Sequence, residues 1–286
     1  MDQISKKIKM ISEKLKELKN KFYHHKIDGY VVPKNDEYFS EFVKKDKLKT
    51  ITGFDGSFGL AIILKKKNFL FVDGRYVEQA KFQAGKKFKI LEIPKKLPYQ
   101  ILNSRLNLGL DPTVFTSRSL IYFFRNKIKL TPITKILVNS NILKNRKSSK
   151  FYSLNPNVVG ETVKSKIKRL IQILKKDKSD HIFISAPENV AWLLNVRGRD
   201  NPFSPIPNCR VIISTKGKVS FFSDMKKSSN IFKKKSFFKI SLIFLGCSLK
   251  EIVLVISVVP YLYCPPESHR YISFRFISLQ VLFEAR

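Results

Sequence analysis

Apolar residues recur along this chain with two different periods, and the alternation between them lays out the elements. Ile4, Ile8, Ile11, Leu15, Leu18 and Phe22 advance by alternating steps of four and three through a segment otherwise rich in Lys and Glu, which predicts an amphipathic helix packed on a sheet. The same steps fit a heptad, but three heptads running into His24, His25 and Gly29 are too few for a coiled coil. Gly29-Tyr30-Val31-Val32-Pro33 is a continuous apolar run closed by proline, as expected of a buried strand. Residues 60–64 and 69–72 flank Lys65-Lys66-Lys67-Asn68 and predict a hairpin of central strands. Residues 88–93 and 106–110 add short strands and 120–124 a helical segment, so the first 135 residues read as mixed α/β.

The pattern then starts again. After a polar run of Asn, Lys, Ser and Pro, the residues Val163, Ile167, Leu170, Ile171 and Leu174 mark an amphipathic helix, followed by a strand at 182–184. Pro187 opens a short helix through Trp192 and Leu194, in which Trp192 is expected in the core. A hairpin of 211–213 and 219–222 turns around Lys216-Gly217. Helix, strand, helix, hairpin thus occurs twice. The expected plan is a first α/β domain at 1–140, a linker at 141–157, a second and incomplete domain at 158–235, and an atypical tail at 236–286. The tail holds five basic residues (Lys239, Lys250, Arg270, Arg275, Arg286), three Glu and no Asp, and keeps neither period for long. An altered or out-of-frame terminus is expected there.

Composition changes this picture little. Over 286 residues, 43% are hydrophobic and 27% charged, which is globular rather than disordered. The 55 Lys and Arg against 22 Asp and Glu leave a formal +33, of which 43 are Lys and 12 Arg. With abundant Ile, Asn and Phe, this is the pattern an AT-rich genome imposes on solvated surfaces, and a nucleic-acid or anionic-membrane partner stands second to it. Cys209, Cys247 and Cys264 with His24, His25, His181 and His269 form no CxxC, HxxxH or HExxH, so neither a zinc module nor a disulfide framework is indicated. No export signal precedes the first helix, and the longest uncharged run, 252–266, is shorter than a spanning helix needs and contains Pro260. A cytoplasmic protein without a membrane segment is expected.

Three motifs stand out: Asp36-Glu37-Tyr38-Phe39-Ser40-Glu41-Phe42, then Thr52-Gly53-Phe54-Asp55-Gly56-Ser57-Phe58-Gly59, then Val72-Asp73-Gly74-Arg75-Tyr76-Val77-Glu78-Gln79-Ala80. Glycine allows tight turns and close backbone approach at strand ends, where α/β sheets commonly hold their functional groups. The spacing of Gly53, Gly56 and Gly59 resembles a phosphate loop only superficially, because no Lys-Ser/Thr follows and the next segment is a strand. Arg75, directly after an apolar strand, offers a planar fork for a carboxylate or peptide carbonyl. Spacing alone favours the plainer role, a salt bridge to Asp73 or Glu78.

In this order the motifs resemble the N-terminal domain of Xaa-Pro aminopeptidases, the aminopeptidase P branch of the creatinase/prolidase-like metallopeptidases. Val158-Val159-Gly160-Glu161-Thr162 and the run from Glu188 through Ala191-Trp192-Leu193-Leu194-Asn195-Val196-Arg197-Gly198 to Pro202 are similar to that family's second domain, so the resemblance covers roughly 1–227. It implies two tandem creatinase-N-like domains, each a mixed β-sheet flanked by helices. In intact members these precede a pita-bread domain, where two Asp, one His and two Glu hold two divalent ions, typically manganese, and release an N-terminal residue preceding proline. A homodimer acting on a proline-containing peptide is implied as well. After Asp224 this chain offers only His269, Glu251, Glu267 and Glu284, so the catalytic pita-bread domain is expected to be absent, with no metal, cofactor or catalytic residue of its own.

Carried over residue by residue, Arg75 matches the family arginine that reaches the peptide. The family's Asp-x-His-x-Ser-Glu-Tyr is met by Asp36, Ser40 and Glu41, but Tyr38 stands at the histidine and Phe42 at the tyrosine position. Arg197, Asp200 and Asn201 lie in a Gly/Pro-bounded loop open to a cleft, a sister subunit or an internal Arg197–Asp200 pair. The resulting expectation is the noncatalytic portion of an Xaa-Pro aminopeptidase, shaping substrate access and subunit docking and inactive as a hydrolase alone. Its rivals are a basic nucleic-acid-binding or scaffold module, which lacks an aromatic-interleaved arginine patch, and a catalytically dead peptide-binding regulator.

Overall fold

The computed structural model describes residues 2–40, 43, 46–134, 137–138, 149–201, 203–228, 231 and 240–244. The chain divides into two compact units, Met1–Asn145 and Arg146–Arg286. Unit 1 runs α1 (Asp2–Asn20), β1 (Gly29–Pro33), α2 (Lys47–Thr52), β2 (Leu60–Leu64) and β3 (Asn68–Asp73). A 3-10 turn, Gly74–Tyr76, leads into α3 (Val77–Ala84), then β4 (Lys89–Ile93), α4 (Pro98–Ile101) and β5 (Asn107–Leu110). A second 3-10 turn, Pro112–Val114, precedes α5 (Ser117–Phe124) and β6 (Lys129–Pro132).

The six strands form one sheet in the order β4-β3-β2-β1-β5-β6, in which β2 alone runs against the rest. Both faces are covered, which is why its central strands are apolar without alternation. Tyr30, Val32, Ala61, Ile63, Leu70 and Val72 meet Ile11, Leu15 and Leu18 of α1, and Phe22 just beyond it, on one face. Val31, Leu60, Ile62, Phe69 and Phe71 meet Phe124 of α5 on the other. Ile11, Leu15 and Leu18 of the stripe are therefore the helix's buried face, and full burial of a side chain such as Leu18 contributes about 1.5–3 kcal/mol. The edge strand β6 was not foreseen, because Lys129-Leu130-Thr131-Pro132 has one large apolar residue; an edge position also accommodates Pro132, which has no N–H for a further ladder.

Unit 2 runs α6 (Pro156–Val159), α7 (Val163–Lys176), β7 (His181–Ile184), α8 (Pro187–Leu194), β8 (Cys209–Ser214), β9 (Val219–Ser223), α9 (Met225–Ser228) and β10 (Ile240–Phe244). Its sheet order is β10-β9-β8-β7, with β10 parallel to β9 and the other pairs antiparallel, the plan of β4-β3-β2-β1 repeated. Its core joins Ile167, Leu170 and Leu174 of α7 to Ile182, Ile184, Val211, Ile213, Val219 and Phe221. No helix among the described residues is long and apolar enough to cross a membrane.

Three expectations are corrected. The polar run 141–157 is not linker throughout: Phe151 is 4% exposed in the second core, its N–H donates to the Lys227 carbonyl at 2.8 Å, and Tyr152 forms a β-bridge with Arg197. Two aromatic anchors inside a polar stretch outweigh its composition. The tail expected from 236 begins within the sheet, because β10 supplies a fourth strand; the remainder of that segment, 245–286, lies outside the described residues. Trp192 is not core. Val190, Ala191, Leu193 and Leu194 take the buried face of α8, leaving Trp192 44% exposed with the Lys166 ammonium 4.3 Å from its ring centroid.

Candidate functional site

Because only β2 is reversed, the C-terminal ends of β1, β3, β4, β5 and β6 and the N-terminal end of β2 share one edge of the six-stranded sheet. That edge is where open α/β sheets place their ligands. It receives all three motifs: the loop leaving β1, the glycine loop entering β2 and the turn leaving β3.

The short helix α2 fixes the glycine loop. Asp46 caps its N-terminus by accepting the Lys49 N–H at 2.7 Å, and the same carboxylate pairs with Lys34 at the end of β1. Lys47 pairs with Asp111 beyond β5 at 2.9 Å. At the other end Gly53 adopts φ +79°, returning its N–H to the Lys49 carbonyl in a left-handed cap that a side chain would strain. Phe54 is fully buried and meets Tyr76 edge to face at 6.0 Å, and a Cβ on Gly56 would stand 2.3 Å from the Phe54 ring. Asp55 accepts from Gln79 and Gln83, both at 2.8 Å, and from Lys49 at 3.2 Å. Burial raises its pKa, but these hydrogen bonds and the Lys49 charge outweigh burial and hold it below the ordinary value. Ser57 Oγ and Tyr76 OH share a hydrogen bond of 2.8 Å. The second motif is therefore bound to the third by packing and by hydrogen bonds.

Arg75 sits on the 3-10 turn with its side chain 73% exposed. Asp73 holds the guanidinium in fork fashion, accepting from Nε at 3.0 Å and from Nη2 at 3.3 Å, and also accepts the Arg75 N–H at 2.9 Å. Those contacts with Arg75 lower the Asp73 pKa. Of the two roles, the salt bridge is the one formed, to Asp73, and it leaves the guanidinium at the surface; Glu78 pairs instead with Lys81. In the first motif Asp36 Oδ1 accepts the N–H groups of Tyr38 at 2.9 Å and Ser40 at 3.0 Å, and burial lifts its pKa despite them. Asn35 Nδ2 donates to the Val114 carbonyl at 2.7 Å, tying this loop to the turn after β5. Glu41 and Phe42 lie outside the described residues.

Arg197 and Asp200 belong to unit 2 and do not pair with each other. Arg197 Nη1 donates to the Ala191 carbonyl at 2.6 Å and the Val196 carbonyl at 3.0 Å, closing the end of α8. Asp200, 8% exposed, pairs with Lys227 and accepts the Asn208 N–H at 2.9 Å. The lysines at 34, 47 and 227 were not singled out from sequence. Asp46 six residues before Thr52-Gly53 carries a cap-to-cap helix signature that marks α2, but a pairing across 64 residues, as between Lys47 and Asp111, leaves no local trace.

The family resemblance implies a pair of metal ions, and the described residues do not fit one. Among the described residues no group of three or more His, Cys, Asp or Glu side chains is placed to hold an ion, and Asp46, Asp55, Asp73, Asp111 and Asp200 are each engaged by Lys or Arg. Glu251, Glu267, His269 and Glu284 lie outside the described residues.

A six-stranded mixed sheet followed by a second sheet on the same strand plan, with glycine and arginine turns at one edge, is the architecture of paired creatinase-type N-terminal domains. The Creatinase/Prolidase N-terminal domain family matches residues 14–139, a second family of the same description matches 143–242, and the chain belongs to this family in both halves. It is homologous to part of the probable Xaa-Pro aminopeptidase P of Laccaria bicolor, 31% identical over 214 residues, 68% of this chain and 33% of the relative. That of Neosartorya fischeri is 31% identical over 232 residues, 76% of this chain and 35% of the relative. The chain thus spans about a third of the length of these relatives. In fold it is similar to an X-prolyl aminopeptidase from Caenorhabditis elegans, described as a cytosolic enzyme with a di-nuclear active site, with a TM-score of 0.71 at 23% identity over 81% of this chain and 42% of that one.

Proposed function

We propose that this chain provides the two noncatalytic N-terminal domains of an Xaa-Pro aminopeptidase, and that the motif-bearing edge of unit 1 presents Arg75 to a proline-containing peptide. The observation that carries this reading is the state of Arg75: exposed, aimed by a two-point bond to Asp73, and seated on a turn that Tyr76 locks to the buried glycine loop. A guanidinium so held is matched to peptide carbonyl or carboxylate oxygens and loses little freedom on binding. Unit 2 shapes the approach of the peptide and the docking of a sister subunit, in a cytosolic homodimer. Metal-dependent release of the N-terminal residue belongs to a further domain, and the chain alone hydrolyses no Xaa-Pro bond.

The test is calorimetric titration of a tripeptide with proline second into the full chain and into Arg75→Ala. A charge-assisted hydrogen bond contributes about 1.5–3 kcal/mol, so the variant should bind at least about tenfold more weakly. Equal affinities would overturn the assignment of Arg75. Turnover of the same peptide by the purified chain with added manganese would overturn the noncatalytic reading.

A further inference from the structure

The opposite edge of the same sheet carries a second feature that the peptide reading leaves unused. Ser12, Leu15, Lys16 and Lys19 follow one another on a single face of α1, and with Asn20 they confront Asn68 at the start of β3 and Lys87 before β4. Between them lies an open groove of about 400 Å³ lined by three lysines and no acidic residue. We propose that this groove is an anion site for a short polyphosphate chain, whether inorganic or borne on a soluble small molecule.

The surroundings of the groove support it. The lysines of the motif-bearing edge are neutralised, Lys34 by Asp46, Lys47 by Asp111 and Lys49 by Asp55, whereas the ion pairs of the described residues include none to Lys16, Lys19 or Lys87. Lys19 is half-buried with the Lys65 carbonyl at 3.2 Å as its acceptor, and burial lowers its pKa. The acids nearby are already committed or face away: Asp28 to Lys65 at 3.5 Å, Glu17 to Lys21 at 2.7 Å, and Glu13 is not among the groove's lining residues. Asn68 donates Nδ2 to the Lys87 carbonyl at 3.0 Å, which ties the start of β3 to the residue before β4. Lys66, Lys67 and Lys86 on the two adjoining turns extend the positive field around the groove. Leu15 is the sole apolar residue of the lining, and a chain of two or three phosphates carries about the charge of three lysines.

The experiment is titration of tripolyphosphate into the full chain at about 0.15 M salt, where long-range attraction is largely screened. The groove variant Lys16→Gln/Lys19→Gln/Lys87→Gln is compared with Lys168→Gln/Lys175→Gln/Lys176→Gln, which removes equal charge from α7. The groove variant should bind at least tenfold more weakly and the control within twofold of wild type. Because Lys19 is half-buried, Lys16→Gln/Lys87→Gln is run beside it, touching only exposed side chains; it should weaken binding at least threefold with an unchanged thermal midpoint. Equal weakening by groove and control variants would reduce the effect to net charge and overturn the site, as would no binding by wild type at millimolar ligand. Duplex DNA binding far more tightly, with groove and control variants equally affected, would overturn it in favour of a diffuse nucleic-acid surface.

Discussion

Replacing Asp46 by Asn isolates the ion pair that secures α2, because Asn caps a helix as well as Asp and the Lys49 N–H keeps its acceptor. What is lost is the counter-charge of Lys34, in a pair whose side chains are only 10% and 15% exposed. Deleting one partner of a fully buried pair costs about 3–5 kcal/mol, and the residual exposure here brings Asp46→Asn to about 2–3 kcal/mol. Adding Lys34→Met keeps the aliphatic stem and removes the stranded ammonium, so the double variant should return to within about 1 kcal/mol of wild type, well short of the sum of the two single losses. Fluorescence is the wrong probe, since the single tryptophan, Trp192, lies in unit 2. Hydrogen exchange followed by mass spectrometry on peptides spanning β1 and β2 reads unit 1 directly, because Val31, Val32 and Ile62 are core residues whose amides exchange through large openings. Single effects that add to within about 0.5 kcal/mol in the double variant would refute the pairing, and with it the account of how the glycine loop is anchored.

Other expectations follow from the same geometry. Phe54→Ala empties a fully buried ring site and should cost about 3–5 kcal/mol by the same exchange measurement; a loss below about 1 kcal/mol would mean the loop is not packed on Tyr76 as described. For Asp111, burial raises the pKa but the hydrogen bonds from Thr113 and the Lys47 charge outweigh it, so the folded value lies below the unfolded one. Its contribution is therefore present above the unfolded carboxylate pKa of about 4 and fades as pH falls through the folded value, and Lys47→Gln should flatten the dependence of the urea midpoint on pH below about 5. Cys209 is fully buried, and burial with the Asp200 and Glu188 charges pushes its thiol well above the ordinary range, so peptide mapping should find it unlabelled by a thiol reagent until the chain is denatured.

Most of the fold was legible wherever one period ran long enough. The stripe from Ile4 to Phe22, the run 29–33 and the two hairpins carry their own evidence, because strands covered on both faces must be apolar and a sheet-packed helix must be striped. The misses share a cause. Phe151 and β10 owe their places to partners distant in sequence, Lys227 and β9, and Trp192 was misread because one residue in an apolar run says nothing of which way the helix turns it. At the candidate site, Arg75 and the glycine turns were visible, since positive φ and close approach select residue types locally. The ion pairs that brace them were not, because pairing residues across 12 to 64 positions is decided by topology.

The two units build one strand plan into different edges, which bears on where recognition resides. In each, the reversed second strand brings the loop entering it beside the turn leaving the third strand: 53–59 beside 74–76 in unit 1, and 195–208 beside 224–228 in unit 2. In unit 2 the corresponding charges close on themselves, Asp200 on Lys227 and Arg197 on the carbonyls ending α8. In unit 1 the carboxylate that meets the arginine comes from the same turn, so Asp73 aims Arg75 outward instead of drawing it into the fold. Shared topology sets the place for a site, and the sequence position of one acidic residue decides whether its charge is used internally or presented. Removing the acid should therefore matter less than removing the arginine: Asp73→Asn loosens the guanidinium yet leaves it exposed, and should weaken peptide binding by only a fewfold where Arg75→Ala loses about tenfold or more. An Asp73→Asn loss as large as that of Arg75→Ala would show that the pair binds as a unit, and that the outward arginine alone does not account for recognition.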